Sequence, residues 1–156
     1  MAKVIRPKRS ATCIFDEKDV YSFYENILLV CESDRVAYGD EKILTAAAKK
    51  INASTPFGFV YKNYEVKMQN PVDNVFYFSA NAAKQSSTRH TMIVKKWYKH
   101  LRNAFAHNYI RLDNGAYVFE DFYDDTGSPL QQVLYAKIVN LDDFKRLITE
   151  VKANLK

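Results

Sequence analysis

Arg102, Asn103 and His107 place a permanent cation, an amide and an imidazole within six residues of one another. Each suits one task at a phosphodiester. A guanidinium can hold two phosphate oxygens as charge builds on them, an imidazole can take or give a proton near neutral pH, and an amide can orient either group. The surroundings favour an anion. From Asn74 to Leu112 there is no Asp or Glu, while Lys84, Arg89, Lys95, Lys96, Lys99, Arg102 and Arg111 are all present. The three histidines of the chain, His90, His100 and His107, lie in the same stretch. Arg89, Lys95, Lys96, Lys99, His100 and Arg111 are therefore the candidate contacts to a polyanion, and Arg102, Asn103 and His107 the candidate reacting group. Such chemistry calls for no metal and no cofactor.

A helix must hold these residues. On a wheel of about 100° per residue, Val94, Trp97, Leu101 and Phe105 fall within roughly 80° and form a predicted buried face. Arg89, Lys96, His100, Asn103 and His107 form a polar stripe about 60° wide on the other side, and Lys95, Lys99 and Arg102 widen it. The helix spans 89–108, with Ser87 or Thr88 as its cap. The neighbouring sequence sets no carboxylate against that stripe. Arg102 and His107 are five positions apart, hence about 140° apart around a straight helix, and do not converge on one phosphate unaided. A second copy on a two-fold axis solves this, so a homodimer through this helix is expected.

Arg102-Asn103-Ala104-Phe105-Ala106-His107 resembles the Arg-x4–6-His signature of the HEPN superfamily (higher eukaryotes and prokaryotes nucleotide-binding), in which a polar residue often follows the Arg. The similarity spans roughly residues 15–155 and is most specific over 98–110. It implies a compact helical domain, a homodimer with paired motifs, and, in many members, metal-independent cleavage of RNA. In that reaction the ribose 2′-hydroxyl attacks the neighbouring phosphodiester and leaves a 2′,3′-cyclic phosphate. Toxin or anti-phage defence roles, with an antitoxin as a further partner, follow from the resemblance alone. Asn108 stands where relatives often have Gly, and Asn also tolerates a helix-ending backbone. Some members keep the fold without cleaving, which leaves a non-catalytic RNA- or nucleotide-binding or dimerisation module as the alternative.

The rest of the chain reads as the support for that helix. Its 156 residues make one domain, 15–156, behind a basic tail, 1–14. Apolar residues are 47% and aromatic residues 14%, which excludes a disordered chain, and no run approaches the 18 or so apolar residues of a membrane helix. A net charge of +5 and a pI near 9.1 favour a polyanionic partner, and the resemblance implies that it is RNA, expected to be single-stranded. The basic N-terminus lacks the apolar stretch of a secretory signal, and Cys13 and Cys31 are too few for a disulfide framework, so a cytoplasmic protein is expected. Four glycines allow no glycine-rich phosphate cradle. Glu120, Asp121, Asp124 and Asp125 lack metal-site spacing and read as a solvated acidic turn.

Asp16 should cap a first helix whose inward stripe is Val20, Phe23, Tyr24, Ile27, Leu28 and Cys31, ending at Gly39. A second helix, capped by Asp40, carries Ile43, Leu44, Ala47, Ala48 and Ile51 inward and pairs with the first as an antiparallel hairpin. Within residues 54–90, Phe57, Phe59, Tyr61 and Tyr64 suggest an extended or irregular aromatic segment ended by Pro71, and 72–83 a short helix. After His107 the period changes from 3.6 to 2. Tyr109 to Leu112 and Ala116 to Tyr123 make a hairpin on Asn114-Gly115, Val133 to Val139 a third strand, and Asn140 caps a final helix. The predicted class is α+β, mostly α: an antiparallel helical bundle with a small antiparallel sheet after the motif helix and a C-terminal helix.

Overall fold

The computed structural model describes residues 14–32, 41–60, 69–78, 97–123 and 131–154. Asp16 caps the first helix, its backbone extended and its carboxylate accepting from the Asp19 N–H at 2.8 Å. That helix, α1 (Glu17–Phe23), runs through a π-helical turn (Tyr24–Leu28) into α2 (Leu29–Glu32). Its inward arc is narrower than periodicity predicted: Phe23, Ile27 and Val30 are buried, whereas Val20 is 45% and Tyr24 50% exposed. The second helix, α3 (Glu41–Ile51), buries Leu44, Ala47 and Ile51. Asn140 caps the C-terminal helix, accepting from the Asp143 N–H at 3.0 Å. That helix, written α5 (Leu141–Asn154), is the chief packing partner of α3. The predicted pairing of the first two helices is corrected accordingly. Lys50 and Glu150 join α3 to α5 at 2.7 Å, and this ammonium holds the Glu150 carboxyl below its ordinary value. Lys145 bonds Asp19 at 2.6 Å and ties α5 to α1.

The mostly helical bundle is corrected as well. Among the described residues, four helices pack against a five-stranded mixed sheet of order β1-β2-β5-β4-β3, formed by β1 (Gly58–Val60), β2 (Val75–Phe78), β3 (Ile110–Asp113), β4 (Ala116–Tyr123) and β5 (Gln131–Ile138). The β1–β2 pair is parallel and the other three are antiparallel. Two strands thus precede the motif helix, and β2 lies where a short helix was predicted. The reason is burial on both faces: Phe76, Tyr77 and Phe78 are all buried, so β2 has no polar–apolar alternation for a sequence reading to find. The β3–β4 hairpin follows expectation, with Asn114 at φ 50° and Gly115 at φ 82° in its two-residue turn.

Cross-strand register sets Phe76 and Phe119 beside Ala136, and Phe78 beside Leu134. Together with Ile138 they form the sheet face that receives the helices. Phe144 on α5, fully buried, meets the rings of Phe119, Phe23, Phe76 and Phe105 at centroid distances of 5.1, 5.9, 6.4 and 6.5 Å. None of the helices described is long and apolar enough to cross a membrane.

Asn74 fastens one end of the sheet. It is fully buried with φ 62°, its amide donates to the Thr55 carbonyl at 2.9 Å, and its amide oxygen accepts from the Val139 N–H at 3.0 Å. Its backbone N–H meets the Lys137 carbonyl at 2.8 Å. Asn74→Ala should cost about 2–4 kcal/mol by urea unfolding, from broken hydrogen bonds and a left-handed backbone without its side-chain anchor. Asn74→Gly should cost about 1 kcal/mol less, because it relieves the backbone alone. Alanine within about 0.5 kcal/mol of wild type would remove this role.

Candidate functional site

The motif helix, α4 (Trp97–Ala106), ends on an Asn in the left-handed region. Asn108, at φ 55°, donates its N–H to the Phe105 carbonyl at 3.2 Å, and the Tyr109 N–H reaches back to the Ala104 carbonyl at 2.9 Å. This pair of bonds is a Schellman ending, with Asn108 where glycine is commonest. Arg102 and Asn103 therefore sit inside the last two turns, and His107 stands at the helix end itself. The Tyr109 carbonyl then accepts from the Glu120 N–H at 3.0 Å, which anchors the exit of the helix to β4.

The face that α4 buries differs from the predicted one. Leu101 and Ala104 are fully buried, and His100, placed in the outward polar stripe by the wheel, is only 5% exposed. Its imidazole Nδ1 lies 2.8 Å from Asp121 Oδ2, and Asp121 is 3% exposed. A carboxylate does oppose this helix, supplied from β4 across the core. Asp121 also accepts from Asn103 Nδ2 at 3.2 Å, and Asn103 Oδ1 accepts from Arg102 Nη1 at 2.9 Å. Four side chains thus form one connected series: His100, Asp121, Asn103, Arg102. His100 Nε2 is buried and has no hydrogen-bond partner among the described residues.

A bulge accompanies Asp121. Asp121 pairs with Leu134 and Phe122 with Gln132, so Val133 is the extra residue at this point of the β4–β5 ladder. The solvated acidic turn is corrected for the two residues described: Glu120 is 5% exposed and pairs with Arg111 across the hairpin while accepting from Gln132 Nε2 at 2.6 Å. Asp124 and Asp125 lie outside the described residues. One sequence signal pointed to Asp121. It stands two residues after Phe119, hence on the same sheet face as a core phenylalanine.

The predicted residues divide as follows. Arg102 and Asn103 are partly exposed and hydrogen-bonded to each other, and His107 is exposed with its ring 5.5 Å from that of Tyr109. Arg111 is joined to Glu120, and His100 is buried. Lys99 belongs to α4, while Arg89, Lys95 and Lys96 lie outside the described residues. Beside the helix end, a groove of about 440 Å³ is lined by Phe15, Tyr21, Tyr24, Phe105 and Asn108, among others. Among the described residues no three His, Cys, Asp or Glu side chains are grouped so as to hold a metal ion.

No family model, curated protein or solved structure matches the chain. A guanidinium, an amide and an exposed imidazole at one helix end are equipped to hold a phosphate and move a proton, and the adjoining aromatic groove has room for a nucleobase.

Proposed function

We propose that the chain is a metal-independent endoribonuclease of the HEPN type acting on single-stranded RNA in the cytoplasm. The observation that carries this reading is the end of α4, where Arg102 is hydrogen-bonded through Asn103 to a buried carboxylate and His107 projects into solvent. Arg102 would hold the phosphate oxygens and His107 would transfer the proton as the 2′-hydroxyl attacks, giving a 2′,3′-cyclic phosphate and a 5′-hydroxyl. The support is local: the Arg-x4-His spacing, the polar Asn103, the Schellman ending and the hairpin that follows. Because Arg102 and His107 diverge around one helix, the working unit is a homodimer that pairs Arg102 of one copy with His107 of the other. A toxin or anti-phage role, with an antitoxin partner, is the biological setting in which such an activity would be used.

The deciding assay follows a labelled single-stranded RNA at neutral pH with EDTA present. Cleavage leaving 2′,3′-cyclic phosphate ends is expected, and products bearing 3′-hydroxyl ends would sink the proposal. Binding should be largely electrostatic. With Lys95, Lys96, Lys99 and Arg102 each neutralising one phosphate, log affinity should fall against log salt with a slope of about −3. A slope near zero would remove the basic residues from the function. Salt-sensitive binding without cleavage would identify the non-catalytic module instead.

A further inference from the structure

Asp121 belongs to none of the groups that would meet RNA, yet three of the site's side chains are ordered around it. We infer that Asp121 is a positioning residue for Arg102: held by His100, its carboxylate fixes the Asn103 amide with the oxygen facing the guanidinium. This rests on the RNA-cleaving reading for its consequence, although not for its geometry.

Donor and acceptor roles force each link. A carboxylate only accepts, so the group of Asn103 lying 3.2 Å from Asp121 Oδ2 must be its NH2. That leaves the amide oxygen at the other end, 2.9 Å from Arg102 Nη1, and a guanidinium only donates. Turned the other way, the amide would set NH2 against guanidinium and oxygen against carboxylate, and both contacts would be lost. The same rule applies to His100: facing a carboxylate at 2.8 Å, Nδ1 carries the hydrogen. With Nε2 lacking a hydrogen-bond partner among the described residues, this bond is the one there that sets the ring's tautomer and seats the carboxylate against α4. The β4–β5 bulge next to Asp121 is the kind of irregularity that re-aims a strand side chain.

The test uses Asp121→Leu and Asp121→Val, which remove the acceptor, Asp121→Asn, which keeps an oxygen for both donors, and Asn103→Ala, alone and combined with Asp121→Leu. Circular dichroism selects the folded variants. Two readouts are taken: single-turnover RNA cleavage, and the Nη signals of Arg102 in ¹⁵N-resolved NMR. In wild type and Asp121→Asn the Arg102 Nη1 signal should carry the shift of a group bonded to the Asn103 oxygen, and that shift should be lost in the apolar variants and in Asn103→Ala. Cleavage at saturating RNA should fall about a hundredfold in the apolar variants with KM within about twofold, since a misplaced group costs turnover more than binding. The double variant should be no worse than Asn103→Ala, because both substitutions cut one series. Unchanged Arg102 signals in a folded apolar variant, or independent and multiplying losses in the double variant, would overturn the inference. A wild type that does not cleave RNA would defeat the nuclease reading, while the Arg102 signals would still decide the role of Asp121.

Discussion

Alanine at His107 or Arg102 is expected to lower RNA cleavage by about 100- to 10,000-fold, the usual contribution of a positioned acid–base or charge-stabilising group, with the fold unchanged. His107 is exposed and Arg102 partly so, and neither belongs to the hydrophobic core, so truncation removes chemistry without opening a cavity. Arg102→Lys should fail nearly as badly, because an ammonium cannot offer two parallel N–H groups to a phosphate. The proposed shared site adds a sharper expectation. When Arg102→Ala and His107→Ala proteins are mixed in equal amounts and allowed to exchange subunits, about half the dimers are mixed, and each has one of two sites intact. Roughly a quarter of wild-type activity should therefore return. No recovery, together with a monomer by light scattering, would rule out the shared site. Equal cleavage by wild type and His107→Ala would place the activity elsewhere.

Phe144→Ala should destabilise the fold by about 3–5 kcal/mol, read as a shift in the urea midpoint at unchanged slope. A domain of this kind has about 5–15 kcal/mol of stability in total, so the loss is a large share of it. Phe144 stands between layers: its ring neighbours Phe76 and Phe119 of the sheet, Phe105 within the motif and Phe23 of α1. No single neighbour can move to fill the space without giving up contacts of its own. Tyr21→Ala, at a residue 66% exposed, supplies the comparison and should change stability by less than about 0.5 kcal/mol. A Phe144→Ala protein as stable as that control would mean that the aromatic cluster does not join helices to sheet.

Local signals in the sequence determined the elements whose ends are written in side-chain chemistry. Asp16 and Asn140 cap their helices, Asn114-Gly115 turns the hairpin, Asn108 ends the motif helix, and the two-residue period of β4 is plain. These are decided within about six residues of chain, so neighbouring residues suffice to specify them. The strand β2 was hidden because both of its faces are buried, and the partnership of α3 with α5 because nothing near either helix names a residue a hundred positions away. The outward placing of His100 failed for the same physical reason. A helical wheel assigns an imidazole to solvent since burying it alone is costly, and the cost vanishes only when an acceptor arrives from elsewhere. Asp121 is that acceptor, 21 residues on, brought beside α4 by the hairpin and its pairing with β5. Local spacing thus fixes Arg102, Asn103 and His107 at one helix end. Which of the nearby polar groups faces inward is set by long-range packing, because a buried hydrogen bond needs both partners and the chain supplies the second from a distant strand.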